Sequence, residues 1–361
     1  MKRSERKGQY DKGLLFIVLL LLAVGLVILY STSAYNGRVK FDDSCYYLKK
    51  QLFATILGML AMLFVSNMDY HVWGKLAIPF YVLSVLLSVI VLFVGEEYNG
   101  SKRWLSFGPF SFQPSEFAKL AVILFLAYII DRAEQKSKKT WYLLLTVLYV
   151  FPIVGAVGMG NLSTAIIILG IAVVLVFVAS AKYAVFLWIG VGGIGFLTIF
   201  LAMESYRLER VAIWRHPEQY EKGYQTLQGL YAIGSGGLFG NGLGDSIQKL
   251  GFVPEAQNDM IFSIICEEFG LAGAVIVILL FLCLMWRFFV IAERTKDMFG
   301  AMIATGALAH IMIQVILNIA VVTNTVPNTG ITLPFVSYGG TSVLFLLVEM
   351  GLVLSVSHLV E

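Results

Sequence analysis

Gly13-Leu-Leu-Phe-Ile-Val-Leu-Leu-Leu-Leu-Ala-Val-Gly-Leu-Val-Ile-Leu-Tyr30 is the stretch that decides the fold class, because it carries no charged side chain. A helix that crosses a bilayer needs about 20 mostly apolar residues. A cluster of cations precedes the stretch, as in a secretory signal peptide: Lys2, Arg3, Arg6, Lys7 and Lys12. The apolar run is long for a signal peptide and many more follow it, so the sequence predicts a retained first transmembrane helix.

The composition of the whole chain favours the same class. Of the 361 residues, 58% are hydrophobic and 14% are charged, and the mean hydropathy is +0.82. A soluble domain keeps about 25% of its residues charged, and no stretch shows the period-two alternation of a membrane barrel. The sequence predicts an all-α polytopic membrane protein with about ten transmembrane helices, at about 14–33, 48–66, 76–95, 114–131, 141–158, 162–179, 183–203, 259–286, 299–323 and 339–358.

The placement of Lys and Arg predicts the orientation. With a cytoplasmic N-terminus, the inner segments hold fourteen of these residues and the short outer loops hold six. Cytoplasmic loops carry the excess of positive charge, so we expect a multi-pass protein with both termini cytoplasmic. The polar segment 204–258 is then a large extracytoplasmic loop between spans 7 and 8, and residues 1–361 form a single transmembrane domain.

Nearly all of the unusual polar segments lie on the outer side in this topology. They are Asn99–Lys119, Glu204–Asp259 and Asn324–Gly340. An active site would therefore face the outer leaflet, where ATP and nucleotide sugars are not normally available. A transferase on that face needs a donor that was activated beforehand and is carried in the membrane. No feature points to a nucleic-acid partner.

Asp259 is the first candidate for catalysis, because it opens the eighth span. An ionisable group that faces a cavity in a membrane protein is usually functional. The alternative is a helix N-cap, for which Asp and Asn are preferred. On an ideal helix Cys266 and Gly270 lie beneath Asp259, and their small side chains predict room for a substrate.

Lys119 is the second candidate, and its neighbours are candidates with it. Gln113-Pro-Ser-Glu-Phe-Ala-Lys119 reads as a helix start with proline in the first turn and Glu116 at the positive end of the dipole. Lys119 would bind an anionic headgroup, oriented by Glu116, or it would snorkel outward. Arg103 suits bidentate phosphate contacts, or it anchors the interface beside Trp104.

Two further features involve the last spans. His310, Gln314 and Asn318 recur every four residues, which usually indicates hydrogen bonds between helices; a substrate or proton path is the alternative. Residues 324–340 are rich in Pro, Gly and hydroxyl groups, and irregular backbone near a membrane survives where it is buried or lines a cavity. A plain structured loop is the alternative there.

Six segments in order resemble the SEDS family (shape, elongation, division and sporulation), which includes FtsW, RodA and SpoVE. The similarity runs through most of the chain, and residues 41–44 with the short tails are more similar to the division and sporulation branch. One departure is Asn161, where the family often has an aspartate. The resembling segments are Lys102-Arg-Trp104, Gln113-Pro-Ser-Glu-Phe-Ala-Lys119, Gly223-Tyr-Gln225, Gly236-Gly-Leu-Phe-Gly240, Pro254-Glu-Ala-Gln-Asn-Asp259 and Thr329-Gly-Ile-Thr-Leu-Pro-Phe-Val-Ser-Tyr-Gly-Gly340.

The resemblance implies a peptidoglycan glycosyltransferase of the bacterial cytoplasmic membrane. Its substrate is lipid II and its partner is a class B penicillin-binding protein, a transpeptidase. The family's essential aspartate falls on Asp259, the expected general base, and its conserved lysine falls on Lys119. We expect substrate binding from Lys119, Arg103, Glu116, Gln113 and Ser337.

The cofactor and the class of protein leave alternatives open. No cluster of metal ligands is visible in the sequence, and a divalent cation, Mg²⁺ or Mn²⁺, is a candidate for stabilising the leaving pyrophosphate. A lipid II flippase and a scaffold for division proteins are the alternative functions. A transporter typically shows inverted repeats and sites near the membrane midplane, whereas these candidates cluster at the outer face.

Overall fold

The structure, a computed structural model, describes residues 10–98, 101–107, 110–136, 146–180, 190, 192–193, 195 and 212–358. The decisive apolar stretch lies in α1, Lys12–Phe41. Asp11 starts this helix, since its carboxylate accepts a 2.7 Å hydrogen bond from the Leu14 amide. The helix ends where Asp42 adopts a left-handed conformation, with φ of 54°.

Nine further α-helices follow in the described part of the chain. They are α2 (Tyr46–Ser66), α3 (His71–Val94), α4 (Pro114–Lys136), α5 (Phe151–Gly160), α6 (Leu162–Ala179), α7 (Tyr224–Ser235), α8 (Ile261–Arg294), α9 (Met298–Val322) and α10 (Gly340–Ser357). Within the described residues, seven helices are long and apolar enough to cross a membrane: α1, α2, α3, α6, α8, α9 and α10. The prediction of an all-α polytopic membrane fold is confirmed.

The predicted spans correspond closely to these helices. The fourth span is α4, whose apolar run is interrupted by Glu116 and Lys119. The fifth span enters α5 through a helical turn at 146–148, and its first residues lie outside the described part. Nearly all of the seventh span, 183–203, and residues 204–211 of the outer loop also lie outside it.

A small antiparallel sheet precedes α4 and was not predicted. Its strands are β1 (Glu96–Tyr98), β2 (Ser101–Phe107) and β3 (Phe110–Phe112), in the order β1-β2-β3. Glu96 pairs with Trp104, and Leu105 pairs with Phe112. The sequence between β1 and β2 is Asn99-Gly100, a dipeptide that is preferred in two-residue hairpins and was the available signal for this sheet.

The helices pack around α9. It contacts α4, α6, α8 and α10, while α2 packs along α10 and α1 lies between α2 and α8. Near the two ends of the described chain, the Asp11 amide donates to Ser357 Oγ at 3.3 Å and Tyr10 lies edge-on against His358. Residues 10 and 358 therefore lie on the same side of the bundle.

The longest helix, α8, is broken at Gly270. This residue has φ of 65° and ψ of −163°, a region that is essentially confined to glycine. The segment 236–242 satisfies the backbone groups that the break exposes. Its amides at 241 and 242 donate to the carbonyls of 267 and 268, and its carbonyls at 237 and 238 accept from the amides of 271 and 272.

This segment also overturns one expectation about the space beneath Asp259. A Cβ at Gly236 would lie 1.8 Å from the carbonyl oxygen of Cys266, and a Cβ at Gly270 would lie 2.4 Å from the amide nitrogen of Gly240. The room predicted beside Cys266 and Gly270 is filled by protein backbone. The prediction was wrong because it assumed an unbroken helix.

Candidate active site

Asp259 lies in the turn that leads into α8, and its side chain is only 8% exposed. Its carboxylate accepts a 3.2 Å hydrogen bond from Nε2 of Gln225 on α7. Its carbonyl oxygen accepts one of 2.9 Å from Nδ2 of Asn318. The N-cap position of α8 is Met260, so the geometry favours the functional interpretation of Asp259 over helix capping.

Two segments border this carboxylate, and a third holds one of them in place. Gln225 also accepts from Nδ2 of Asn328 at 3.4 Å, and a Cβ at Gly330 would lie 4.0 Å from Oδ2 of Asp259. Ser163, in the first turn of α6, donates to the carbonyl of Thr329 at 2.9 Å. Asp259 is therefore bordered by α7 and by residues 328–330, and the beginning of α6 holds that segment in place.

Several buried polar atoms near Asp259 have no hydrogen-bond partner among the described residues. They are Oδ1 of Asn318, Oγ of Ser263 and Oγ1 of Thr329. Asn318 contacts the backbone of Asp259 directly, and Ser263 lies one turn further along α8. Buried polar groups are nearly always paired with protein, water or ligand, so these atoms mark positions suited to a polar ligand.

Lys119 is buried, with 2% of its surface exposed. Its ammonium lies 3.1 Å from a carboxylate oxygen of Glu116 and donates to Oε1 of Gln314 at 3.1 Å. The snorkelling alternative is therefore wrong for this structure, whereas the predicted pairing with Glu116 is present. The ammonium has three N–H donors, so a phosphate could be bound beside these two partners, but only if neighbouring residues move, because Lys119 is buried.

The polar stripe of α9 connects Lys119 to the neighbourhood of Asp259. His310 contacts Glu349 of α10 at 2.8 Å and Oε1 of Gln314 at 2.9 Å. Each ring nitrogen of His310 thus has a side-chain partner, one on α10 and one on α9 itself. The stripe forms hydrogen bonds between helices, as its spacing predicted. Glu349 was not predicted, because a single acid in an apolar span belongs to no repeating pattern.

Residues 324–339 form a re-entrant loop that packs inside the bundle. Nε2 of Gln314 donates to the carbonyl of Thr332 at 3.0 Å, and Nδ2 of Asn318 donates to the carbonyl of Ile331 at 2.7 Å. A Cβ at Gly25 of α1 would lie 2.4 Å from the carbonyl of Phe335. The second half of the loop, residues 331–337, is thus mostly buried in protein, whereas residues 324–330 are partly exposed; burial in protein is the condition under which irregular backbone survives at membrane depth.

Ser337 lies in this loop and serves its internal structure. Its hydroxyl accepts a 2.8 Å hydrogen bond from the Leu333 amide, and the residue is 3% exposed. Gln51 of α2 donates to the carbonyl of Ser337 and accepts from the amide of Gly339. In this structure Ser337 shapes the loop, and a direct contact with a substrate needs the loop to move.

Arg103 and Gln113 lie in the sheet before α4 and at the N-terminal end of that helix. Nε of Arg103 donates to the carbonyl of Gly160 at 2.7 Å, which ties β2 to the turn between α5 and α6. In that turn Asn161 accepts from the Thr164 amide at 3.2 Å and caps α6. Gln113 precedes α4, and its carbonyl accepts from the Glu116 amide. Lys119 bonds to Gln314 directly, and Asn318 joins Asp259 to Gln314 only through the backbone of residues 331 and 332. Arg103 contacts the α5–α6 turn.

A metal site is not evident in the described part of the chain. No group of three or more His, Cys, Asp or Glu side chains there is placed to hold an ion. Glu267 and Glu268, two adjacent acids of α8, are already bonded. Glu267 accepts from Ser246 and from the amide of Ile247, and Glu268 pairs with Lys249.

Comparison with known proteins gives consistent matches over nearly the whole chain. The FtsW/RodA/SpoVE family, described as "Cell cycle protein", matches residues 12–361. Stage V sporulation protein E of Bacillus subtilis is 40% identical over 364 residues, which covers 98% of this chain and 99% of that protein. A probable peptidoglycan glycosyltransferase FtsW of Trichlorobacter lovleyi is 34% identical over 363 residues, covering 99% and 95%.

Solved structures show the same fold. A chain from a peptidoglycan synthase complex that coordinates polymerization and crosslinking superposes with a TM-score of 0.81 at 31% identity, covering 96% of this chain and 97% of that chain. The rod shape determining protein RodA of Thermus thermophilus superposes with a TM-score of 0.73 at 30% identity, covering 96% of each chain.

Proposed function

The chain belongs to the FtsW/RodA/SpoVE family of cell cycle proteins, and from that premise we propose that it is a peptidoglycan glycosyltransferase that polymerises lipid II. Relatives at 34% identity are named probable peptidoglycan glycosyltransferases. The reaction takes place at the outer face of the bacterial cytoplasmic membrane, with both termini cytoplasmic. The candidate residues lie at the ends of helices that the charge distribution assigns to that face.

Asp259 is the general base in this proposal. It removes the proton from the 4-hydroxyl of the acceptor sugar, and that oxygen attacks the anomeric carbon of the donor. The bond to undecaprenyl pyrophosphate breaks with inversion, from an α-linked pyrophosphate to a β-glycoside. Positioned base catalysis contributes roughly 10²–10⁴-fold. Gln225 holds the carboxylate, and the unpartnered atoms of Asn318 and Ser263 are suited to sugar hydroxyls.

The leaving pyrophosphate needs positive charge close to it. We assign this role to Lys119, which its partners Glu116 and Gln314 hold in place, and to Arg103 at the outer end of the same region. Gln113 and Ser337 frame the site at the start of α4 and in the re-entrant loop. A divalent cation, Mg²⁺ or Mn²⁺, carried in with the pyrophosphate is a further candidate.

A class B penicillin-binding protein is the proposed partner. The transpeptidase would cross-link the strands that this chain makes. The similarity to a chain of a peptidoglycan synthase complex supports this pairing. The division and sporulation branch is favoured, since the sporulation protein of Bacillus subtilis is 40% identical.

The observation that carries the proposal is the enclosed carboxylate of Asp259, held by Gln225 among unpartnered polar atoms. The test uses purified chain with its partner, in detergent, with lipid II as substrate and glycan strands as the measured product. We expect Asp259→Asn to fold and bind the partner but to lose polymerisation by at least roughly 100-fold. Asp245→Asn, at an exposed carboxylate of the same outer loop, is the matched control and should retain activity.

Two outcomes would contradict parts of this proposal. Polymerisation by Asp259→Asn near the wild-type rate would remove the general-base assignment. The second outcome is that the wild-type chain makes no polymer under conditions in which a known polymerase is active. That outcome would favour the lipid II flippase, because a flippase makes no glycan and has no membrane to act across in detergent.

A further inference from the structure

Two ionisable side chains inside the helix bundle have no part in the proposed function as stated so far. Nδ1 of His310 on α9 lies 2.8 Å from a carboxylate oxygen of Glu349 on α10, and each residue is 2% exposed. Neither residue belongs to the six segments that carry the family resemblance. An ionisable group within a membrane span is costly to bury and is usually functional. The pair is therefore a candidate for a role beyond joining two helices.

Gln314, one turn after His310 on α9, is the side chain through which this pair reaches the candidate site. Its Oε1 accepts from Nζ of Lys119 at 3.1 Å, and its Nε2 donates to the carbonyl of Thr332 at 3.0 Å. An ammonium can only donate and a carbonyl can only accept, so these partners fix which end of the carboxamide is the oxygen. A carboxamide turned over would place its NH₂ group against the Lys119 ammonium, where no hydrogen bond forms.

His310 holds the carboxamide of Gln314 in this orientation from a third side. Its Nε2 lies 2.9 Å from Oε1 of Gln314, and because that atom is an oxygen, Nε2 donates to it. An amide oxygen has two lone pairs, and Lys119 and His310 use both of them. Glu349 contacts the other ring nitrogen and so fixes the orientation of the imidazole.

The orientation of Gln314 affects both parts of the candidate site. Lys119 is the cation that the proposed function places at the leaving pyrophosphate. Thr332 lies two residues after Gly330, where a Cβ would lie 4.0 Å from Oδ2 of Asp259. One carboxamide therefore joins the Lys119 ammonium to the part of the re-entrant loop that borders Asp259.

We infer that His310, held by Glu349, is a positioning residue for polymerisation: its Nε2–H keeps the Gln314 carboxamide turned so that it holds the Lys119 ammonium and the re-entrant loop together. The inference rests on the proposed function, since it concerns the geometry of that same site. The alternative is that the pair only joins α9 to α10. Its loss would then lower stability, and any loss of activity would follow the loss of stability.

Two substitutions at position 310 separate the two contacts of the ring. The amide nitrogen of a glutamine side chain is as many bonds from Cα as Nε2 of histidine, and that of asparagine is as many as Nδ1. His310→Gln therefore keeps a donor for Gln314 and gives up the contact with Glu349. His310→Asn keeps a donor for Glu349 and gives up the contact with Gln314.

The two variants should change activity and stability in opposite order. The measurements are thermal unfolding and the kinetics of glycan synthesis from lipid II, on the same preparations of chain with its partner in detergent. We expect His310→Asn to unfold near the wild-type temperature but to lose kcat by roughly 10-fold or more, with little change in KM. His310→Gln should unfold at a lower temperature and keep most of its kcat. If His310→Gln gives no folded protein, His310→Gln/Glu349→Gln replaces it, because that variant removes the unpaired acid.

A matched control and a second background show whether the effect passes through Gln314. Thr305→Ala is the control, because Thr305 is buried on the same helix and donates to the carbonyl of Ala301 in its own helix. It should leave kcat and KM unchanged. In a Gln314→Met background, His310→Asn should lower kcat by no more than about twofold further, because its route to Lys119 is already lost.

The outcomes separate this inference from the proposed function. A wild-type kcat in His310→Asn, or a kcat that falls as far in His310→Gln as in His310→Asn, would overturn the inference and leave the polymerase in place. An undiminished effect of His310→Asn in the Gln314→Met background would also overturn it, by showing that His310 does not act through Gln314. A wild-type chain that makes no polymer, where a known polymerase is active, would overturn the proposed function and this inference with it.

Discussion

At the scale of single residues, the pair of Lys119 and Glu116 raises the sharpest question. Both side chains are buried and lie 3.1 Å apart. Removing one partner of a buried ion pair leaves an uncompensated charge, which costs about 3–5 kcal/mol. Loss of activity in Lys119→Ala alone therefore does not distinguish a pyrophosphate-binding ammonium from a structural one.

The double variant Lys119→Ala/Glu116→Ala makes that distinction. It removes both charges, so we expect much of the stability lost in Lys119→Ala to return. If Lys119 stabilises the leaving pyrophosphate, the polymerisation rate of the double variant remains below that of the wild type by roughly 100-fold or more. Thermal unfolding and polymerisation are measured on the same preparations of wild type, both single variants and the double variant. Recovery of activity together with stability would reduce Lys119 to a structural role.

At the scale of elements, the re-entrant loop depends on amides supplied by its neighbouring helices. Asn318 donates to the carbonyls of Ile331 and Asp259, and is itself fully buried. Asn318→Leu would leave both carbonyls unpaired, at about 1–3 kcal/mol for each. We expect a lower melting temperature and reduced polymerisation. Ile316→Ala, on the exposed side of the same helix, is the control. The argument would be contradicted if Asn318→Leu melted at a temperature no lower than the control does.

The break in α8 gives a second prediction for an element. Gly270→Ala requires a conformation costing about 1–3 kcal/mol for a residue with a side chain, besides displacing the backbone of Gly240. We expect little folded protein, measured as the monodisperse fraction after solubilisation. Gly234→Ala is the control, because nothing lies within 4 Å of a Cβ there. Equal yields of the two variants would mean that the break is not needed.

The same elements show what the sequence was able to predict. Apolar runs set the helices, because spanning a bilayer demands them whatever the neighbours are. The break at Gly270 was not predictable, since one glycine in an apolar helix is ordinary and its geometry depends on the segment 236–242. Asp259 and Lys119 stood out as charges near span ends, whereas Gln225 and Gln51 gained their roles only through tertiary contacts with Asp259 and the re-entrant loop.

At the scale of the whole molecule, the topology is the premise behind an outer-face site. A cysteine at Asp245, exposed in the outer loop, should react with an impermeant thiol reagent in intact spheroplasts. A cysteine at Lys75, exposed near the start of α3, should react only after the membrane is opened. Both are measured above the labelling of native Cys45, which is partly exposed. The reverse labelling pattern would show that the protein has the opposite orientation in the membrane. The argument for a lipid-carried donor would then fail.

The break in α8 and the segment 236–242 packed into it also determine which mutations the gene tolerates. Every glycine codon has the form GGN, so each missense change of a single base replaces glycine by a residue with a side chain. At Gly236, Gly240 or Gly270 that side chain would overlap main-chain atoms of the segment packed against it. No second change at another of these positions makes room, because the obstruction is main chain. In a random mutagenesis library, null alleles should therefore gather at these three codons, and intragenic suppressors of them should be rare.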